Sequence, residues 1–175
     1  LVLSEQPPET APHIVEHRLT PTVYRRQFVE ALVDQGPSGL PVHLKVDTGM
    51  QRVGVHPHAA TSIAAAVAQQ SPALRLAGLY THLAVADSDD PEMIEFTERQ
   101  LASFERVVEQ LPDVTITHAA NSAAALAHSA SRRDMVRAGI AIYGISPGDG
   151  VDHLCDDLRP AMEVRARVSF VKQVR

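Results

Sequence analysis

Strand-like apolar segments alternate with amphipathic helical segments along most of this chain, and this alternation constrains the fold more than any other feature. The predicted strands cover 1–5, a weak one at 19–23, then 42–46, 76–83, 114–117 and 140–145. The predicted helices cover 23–35 and 59–69, with a long one opening at Asp90-Pro91 and a short one from about Ser122. Strand–helix units of roughly 30 to 40 residues predict a parallel sheet covered by helices.

Unusual polar residues follow the apolar part of successive strands, and this favours one of the two folds that fit the alternation. An open doubly wound sheet and a (β/α)8 barrel are both compatible with it. Lys45 to Asp47, His82, Asn121-Ser122 and Arg137 all come at strand ends. Because barrel enzymes collect their site residues at the carboxyl ends of many strands, the barrel is favoured.

Both ends of the sequence predict a piece of a longer protein. Residues 1–5 predict a strand that begins without a lead-in, and residues 162–170 alternate apolar and polar side chains like a half-buried strand. Natural termini are usually loose and polar. We therefore expect residues 1–150 to form part of a barrel domain, and residues 158–175 to open a separate β-domain.

Composition excludes several classes of function. A net charge of −5, an aromatic content of 4% and the absence of tryptophan argue against nucleic acid or an anionic membrane as partner. No 18-residue apolar run is present, and one cysteine, Cys155, fits a cytoplasmic protein. His56 and His58 are spaced like a ligand pair but have no acidic or cysteine neighbour, so no metal site is expected.

The stretch HLKVDTGMQRVGV, residues 43–55, predicts an anion-binding loop after a strand. His43, Lys45 and Asp47 share one strand face, and Gly49 and Gly54 permit a tight loop that would hold Arg52. A guanidinium in that place can bind a carboxylate through two hydrogen bonds. The alternative is a plain turn with a surface arginine.

Two later motifs predict a phosphate site. In HAANSAAAL, residues 118–126, Ser122 opens a helix after a strand, and in MVRAGIAIYG, residues 135–144, Arg137 precedes Gly139. Backbone N–H groups with an added hydroxyl suit phosphate, and barrels often bind it after their last strands. Ser122 as a simple helix cap is the alternative, as is a structural role for His82 in GLYTHLAVAD, residues 78–87.

Taken in order, these four motifs and LRPAMEVRARVSFVKQV, residues 158–174, resemble the alanine racemase family of pyridoxal-phosphate enzymes over essentially the whole chain. The resemblance implies a (β/α)8 barrel from about its third to eighth strand, the start of a C-terminal β-domain, and a homodimer in the complete protein. The implied reaction interconverts L- and D-alanine for peptidoglycan synthesis.

The resemblance also implies residue roles. Arg52 resembles the arginine that contacts the cofactor and the substrate carboxylate, and Lys45 a lysine that is carbamylated in some members. His82 resembles the histidine packed against the cofactor ring, and Arg137 the arginine at the ring nitrogen. The residues matching the phosphate-binding set are Asn121, Ser122, Gly139 and Ile140.

The departure from the family pattern concerns the two catalytic bases. The family's cofactor-anchoring lysine and its second base, a tyrosine of the β-domain, have no counterpart here, because Lys45, Lys172 and the three tyrosines lie outside those motifs. We therefore expect no catalytic base in this chain and no activity from it alone. The alternatives are another amino-acid racemase of this fold, such as a serine racemase, or a non-catalytic pyridoxal-phosphate-binding relative.

Overall fold

A computed structural model describes residues 1–174, and its centre is a sheet of four parallel strands in sequence order. The strands are β1 (Thr22–Val23), β2 (Leu40–Lys45), β3 (Leu74–Tyr80) and β4 (Ile116–His118). Each strand pairs with the next one along the chain, and helices occupy the connections. The predicted parallel α/β architecture is confirmed.

Within residues 1–174, five α-helices precede, connect or follow the strands. They are α1 (Ala11–Glu16), α2 (Arg26–Val33), α3 (Ala60–Ala68), α4 (Pro91–Gln110) and α5 (Ser122–Ala127). Helix α4 starts where the sequence predicts it: the Asp90 side chain accepts hydrogen bonds from the N–H groups of Glu92 and Met93, and Pro91 fills the first position. None of the helices in residues 1–174 is long and apolar enough to cross a membrane.

The outer face of the sheet forms the core with the helices. Alternate residues of β2, including Val42 and Leu44, point to this face and are fully buried. One cluster gathers Phe28, Val29, Leu32, Leu40, Val42 and Leu74, and a second gathers Leu44, Val46, Ile63, Leu79, Phe104 and Val107. The strand ends are thereby fixed against packed helices, which is what a precise site requires.

The opposite, inner face of the sheet carries polar side chains. Lys45 pairs in register with Tyr80, and Tyr80 with His118, so one row crosses three strands. An irregularity in the β2–β3 ladder moves the register by one residue and places His43 opposite Gly78 instead of Ala77. The bulge therefore places His43 opposite a glycine, whose lack of a side chain leaves room for the His43 ring.

Three predicted strands are absent from the structure. Residues 1–5 form no ladder: Val2 makes one backbone bond, from its N–H to Thr20 O at 2.8 Å, and its carbonyl oxygen accepts from the Thr22 side chain at 2.6 Å. The segment predicted as the strand 140–145 is a 3-10 helix at Ile140–Tyr143, since its backbone donors bond locally or to Ser122. Four of the six strands counted from the sequence are therefore formed.

The third is the predicted strand beyond residue 161. Within residues 1–174 nothing pairs with it, and its apolar side chains stay exposed, with Val164 at 87% and Phe170 at 77%. An alternating pattern becomes a strand only when a partner supplies hydrogen bonds and a surface to cover. The assignment of 158–175 to a separate β-domain stays a prediction.

The buried face of α4 also differs from the sequence expectation. The apolar spacing predicts a core stripe of Met93, Leu101, Phe104, Val108 and Leu111. Phe104 is fully buried, but the other buried positions are Thr97, Gln100 and Val107. Gln100 takes a place in the stripe because its side chain bonds the site loops, whereas the Thr97 hydroxyl donates to Met93 O within the helix.

Candidate functional site

One cavity of about 450 Å³ opens at the carboxyl ends of β2, β3 and β4. It is lined by all eight residues that the sequence singled out: Lys45, Arg52, His82, Asn121, Ser122, Arg137, Gly139 and Ile140. They come from four separate loops or strand ends spread over almost a hundred positions. The parallel order of the strands brings them together, because all the carboxyl ends meet at one edge of the sheet.

The loop carrying Arg52 is closed at its base and shaped by Asp47. The Asp47 carboxylate accepts from the N–H groups of Gly49 and Gln51, each at 3.0 Å. The Asp47 N–H donates to Val55 O at 2.8 Å, and the Val55 N–H to Lys45 O at 2.9 Å. These bonds fix the backbone, whereas the Arg52 side chain is exposed and can reorient towards an anion.

Arg137 is held by four acceptors at the floor of the cavity. Its guanidinium donates to the carbonyl oxygens of Thr81 at 2.7 Å and Ala119 at 3.0 Å. It also bonds His118 Nδ1 at 2.7 Å and approaches His82 Nδ1 at 3.4 Å. Burial lowers the pKa of Arg137 to about 10, so the guanidinium is still charged at neutral pH. The group is a fixed positive charge rather than a mobile one.

Three histidines around Arg137 are neutral. Burial lowers the pKa of His82 to about 4 and that of His118 to about 3, with Arg137 as the next cause in both cases. Burial also lowers the pKa of His43 to about 4. Because His118 Nδ1 accepts from Arg137, the donor inventory puts its proton on Nε2, which lies 2.9 Å from His43 Nδ1. A directional chain therefore runs from Arg137 through His118 to His43.

Gly78 makes this chain possible. A Cβ built on Gly78 would lie 2.4 Å from Cε1 and Nδ1 of His43, far inside van der Waals contact. The His43 ring thus passes directly over the Gly78 backbone to reach His118. Gly78 is required here by close approach and not by a left-handed backbone, since its φ is not positive.

Lys45 lies among cations in the wall of the cavity. It is buried, its pKa is lowered to about 8 by burial and then by Arg52 and Arg137, and Asp47 opposes this only as the smallest cause. Among residues 1–174, no carboxylate lies within ion-pair distance of it. Its Nζ lies 5.6 Å from the centre of the Tyr80 ring, and the Arg137 guanidinium lies 5.0 Å from the same centre. Three basic side chains without a paired acid make the cavity attractive to anions.

Ser122 and the segment after Arg137 face each other across the cavity. The Ser122 hydroxyl oxygen accepts from the Gly139 N–H at 2.8 Å and from the Ala141 N–H at 3.4 Å. A Cβ on Gly139 would approach the same oxygen at 3.8 Å. The residue that caps α5 is Asn121 and not Ser122: Asn121 Oδ1 accepts from the Ala124 N–H at 2.9 Å and its amide donates to Leu83 O at 3.2 Å. The Asn121 side chain is therefore committed to holding two loops together.

Sequence reasoning missed several residues of this site. Tyr80 stacks on His118 with ring centres 4.6 Å apart, and its hydroxyl bonds Thr22 at 2.8 Å. His43 and His118 stand inside the motifs quoted above, where the alternation that singled out Lys45 could also have marked them. Gln100, which bonds Thr48 and His82 from helix α4, lies outside all the motifs, and no sequence pattern marked it. His56 and His58 do not line the cavity, and their lack of a metal stays a prediction.

Comparisons with known proteins agree with this geometry. Residues 1–147 match the family described as "Alanine racemase, N-terminal domain". The alanine racemase of Desulfovibrio desulfuricans is 38% identical over 178 residues, which is 99% of this chain and 47% of that protein. That of Treponema denticola is 34% identical over 173 residues, covering 95% of this chain and 45% of the relative. The chain thus spans about half the length of the curated relatives it matches.

Solved structures give the same answer for the fold. The alanine racemase of Clostridium difficile 630 in complex with cycloserine superposes with a TM-score of 0.81 at 28% identity, covering 98% of this chain and 48% of that one. A histidine racemase from Leuconostoc mesenteroides superposes with a TM-score of 0.79 at 27% identity, over 91% of this chain and 44% of that one. The four parallel strands are therefore part of a (β/α)8 barrel of this type. On this match, and on the motifs gathered at one cavity, the chain belongs to the alanine racemase family.

Proposed function

We propose that this chain is the cofactor-holding part of an alanine racemase, which interconverts L- and D-alanine and so supplies D-alanine for peptidoglycan. Enzymes of this family depend on pyridoxal phosphate. The observation that carries the proposal is the gathering of Lys45, Arg52, His82, Ser122 and Arg137 at one cavity. In the complete protein we expect a cytoplasmic homodimer.

The residues present fit the phosphate of the cofactor. Ser122 Oγ accepts from the Gly139 N–H at 2.8 Å, which leaves the Ser122 O–H free to donate to an anion beside it. The positive charges of Lys45, Arg52 and Arg137 favour a phosphorylated ligand over a neutral one.

Arg137 and His82 fit the pyridine ring. When bound, pyridoxal phosphate supplies an electron sink that makes the α-proton of an amino acid removable. Arg137 would face the ring nitrogen, and a guanidinium donates a hydrogen bond but cannot accept a proton. Its four hydrogen bonds prevent it from turning away. Arg137 would therefore leave that nitrogen unprotonated, which would moderate the electron sink and disfavour transamination.

Arg52 fits the substrate carboxylate. Its loop is rigid at Asp47 and its guanidinium is exposed at the mouth of the cavity, where a carboxylate can accept two hydrogen bonds. Its charge already acts on Lys45 and His82, since it lowers the pKa of both. Arg52 would therefore orient the amino acid and neutralise its carboxylate.

Lys45 has the properties of a carbamylation site. With a pKa of about 8, about a tenth of its side chains are neutral amines at pH 7, compared with well under a thousandth at its ordinary value. A neutral amine attacks CO2, forming an N–C bond and releasing one proton. The resulting carbamate would be an anion near Arg52 and Arg137, and no carboxylate of residues 1–174 lies within ion-pair distance of Lys45. It would fix Arg52 in the orientation that binds substrate.

The proton-transfer groups are proposed to come from other parts of the complete protein. Lys45 lies in the wall of the cavity with only 3% of its surface exposed, and Lys172 lies in an exposed irregular segment. The Tyr80 hydroxyl donates its proton to the carbonyl oxygen of Leu3 at 2.6 Å, and Thr22 Oγ1 lies 2.8 Å from it. We therefore propose that this chain binds and orients, while a lysine and a tyrosine elsewhere move the protons.

The test is an assay of the complete gene product. Purified protein should contain pyridoxal phosphate and convert L-alanine to D-alanine, measured with a coupled D-amino-acid oxidase. Arg52→Ala should lower kcat/KM for alanine by at least a hundredfold, because a charge-assisted bond of two donors is lost at the substrate. Arg18→Ala, which removes a remote surface arginine, is the matched control.

Other outcomes would select the alternatives. Racemisation of serine or histidine in preference to alanine would favour another amino-acid racemase, the class to which the structurally similar Leuconostoc protein belongs. Cofactor binding without any racemisation would favour a non-catalytic carrier. An Arg52→Ala enzyme as fast as the parent would remove Arg52 from the substrate site.

A further inference from the structure

Gln100 is a buried amide on α4 that faces the site loops instead of the apolar core. Its side chain is 1% exposed, although it stands two helical turns from the start of a surface helix. A buried amide that leaves its donors or acceptor unpaired is costly, so its partners should be specific. All its partners belong to the two loops that carry Arg52 and His82.

Three hydrogen bonds join Gln100 to these loops. Its Oε1 accepts from the Ala84 N–H at 2.9 Å. Its Nε2 donates to His82 O at 3.1 Å and to Thr48 Oγ1 at 3.2 Å. Thr48 Oγ1 in turn lies 2.7 Å from Thr81 Oγ1. One amide therefore ties the loop after β2, four residues before Arg52, to the loop after β3 that begins at His82.

The packing around Gly49 shows independently that the Arg52 loop rests on α4. A Cβ built on Gly49 would lie 2.8 Å from Cζ of Phe96 and 3.3 Å from both Cγ and Nε2 of Gln100. The loop backbone thus lies directly on this face of the helix. A change in the length or polarity of residue 100 would move the loop, because the Gly49 backbone packs directly against the Gln100 side chain.

We infer that Gln100 is a positioning residue, which fixes the Arg52 loop relative to His82 so that both side chains face one ligand. The effect on turnover rests on the function proposed above, whereas the effect on the loops does not. Gln100 touches neither Arg52 nor the interior of the cavity, so its contribution acts through Thr48, His82 and Ala84. Displacement of a substrate-orienting group by about 1 Å lowers turnover by up to about a hundredfold.

The chain offers a matched control on the same helix. Thr97 is fully buried one turn earlier, and its hydroxyl donates to Met93 O at 3.0 Å within the helix. Thr97→Val removes a buried hydrogen bond of similar kind without a bond to either loop. Gln100→Met keeps the length of the side chain and removes all three bonds, whereas Gln100→Glu keeps the acceptor for Ala84 and loses the two donors.

The experiment uses the complete holoenzyme and two readouts. We expect Gln100→Met to lower kcat for alanine on the order of tenfold or more, and Thr97→Val to change it by less than twofold. Amide hydrogen exchange should become faster in the peptides covering 46–54 and 82–88 in Gln100→Met and Gln100→Glu, and stay unchanged there in Thr97→Val. Thr48→Val, which cuts one of the three bonds, should give an intermediate effect and add little in combination with Gln100→Met.

Two results would overturn the inference. One is loop exchange in Gln100→Met no faster than in Thr97→Val. The other is a kcat loss equal in the two variants, which would reduce Gln100 to a general contribution to stability. If Gln100→Met does not fold, Gln100→Glu and Thr48→Val carry the same comparison. If the parent enzyme does not racemise alanine, the proposed function fails, and the exchange measurement alone still decides the role of Gln100.

Discussion

The close approach of His43 to Gly78 leads to a quantitative prediction about Gly78→Ala. The new Cβ would lie 2.4 Å from Cε1 and Nδ1 of His43 and 2.6 Å from its Cγ. Carbon atoms pack at about 3.5–4.0 Å, so the ring must retreat by about 1 Å. It cannot do so and keep its 2.9 Å hydrogen bond to His118.

The expected cost follows from two effects and one gain. Overpacking a buried position costs about 1–3 kcal/mol, and a buried ring nitrogen that loses its partner costs about 1–3 kcal/mol more. Replacing glycine with alanine recovers about 0.4–1 kcal/mol through the unfolded chain. Gly78→Ala should therefore lower the free energy of unfolding by about 1–6 kcal/mol, measured by urea denaturation of the complete protein at fixed protomer concentration.

The double variant separates the clash from other effects of the alanine. Removing the ring in His43→Ala relieves the collision, so Gly78→Ala should cost less in that background, with a favourable coupling of about 1–3 kcal/mol. Additive costs in the double variant would refute the steric argument. So would a Gly78→Ala protein as stable as the parent.

Further predictions concern charge and helix capping. Lys45→Met should be more stable than the parent by about 3 kcal/mol at pH 7, because folding lowers the pKa of the Lys45 ammonium from 10.5 to about 8. The stability difference is measured by urea denaturation in CO2-free buffer. It should shrink as the pH rises from 8 to 10.5, because in that range only the unfolded chain still binds the proton. Mass spectrometry of the native protein in bicarbonate should show one added CO2 that Lys45→Met lacks, and a parent protein of unchanged mass would argue against the carbamate. The free energy of unfolding of the parent should fall as the pH drops from 6.5 towards 4. Over that range His43 and His82 become protonated in the unfolded chain, whereas in the folded chain they stay neutral down to about pH 4. A flat stability profile over that range would contradict their neutral state. Asp90→Ala should cost about 1 kcal/mol by removing the cap of α4, whereas Asp89→Ala, a neighbour without that bond, should cost much less in the same thermal unfolding assay.

The residues of the site could be predicted from the sequence because they follow strands whose order is simple. Lys45, His82 and Ser122 stand directly after apolar segments, and parallel strands in sequence order deliver such residues to one edge. The start of α4 was predictable for a similar reason, since Asp90-Pro91 is a local signal that depends on no distant contact.

Features that depend on distant partners could not be predicted in the same way. The alternation over 162–170 and the apolar run at 140–145 are typical of strands, but neither finds a ladder within residues 1–174. The burial of Gln100 and the passage of His43 over Gly78 depend on one-residue details of loop packing and register. No local sequence pattern predicts such contacts, because each one depends on a residue that is distant in the sequence.

The crowding of Lys45, Arg52 and Arg137 has a practical consequence for anyone handling the protein. A field of this sign draws in small oxyanions in general, and it falls off over about 10 Å at 0.1 M salt. Inorganic phosphate or sulfate in a purification buffer should therefore compete for the place before Ser122 and slow reconstitution with the cofactor. Chloride buffers at modest ionic strength should leave that place more accessible, so reconstitution rates would depend on which salt is used as well as on how much.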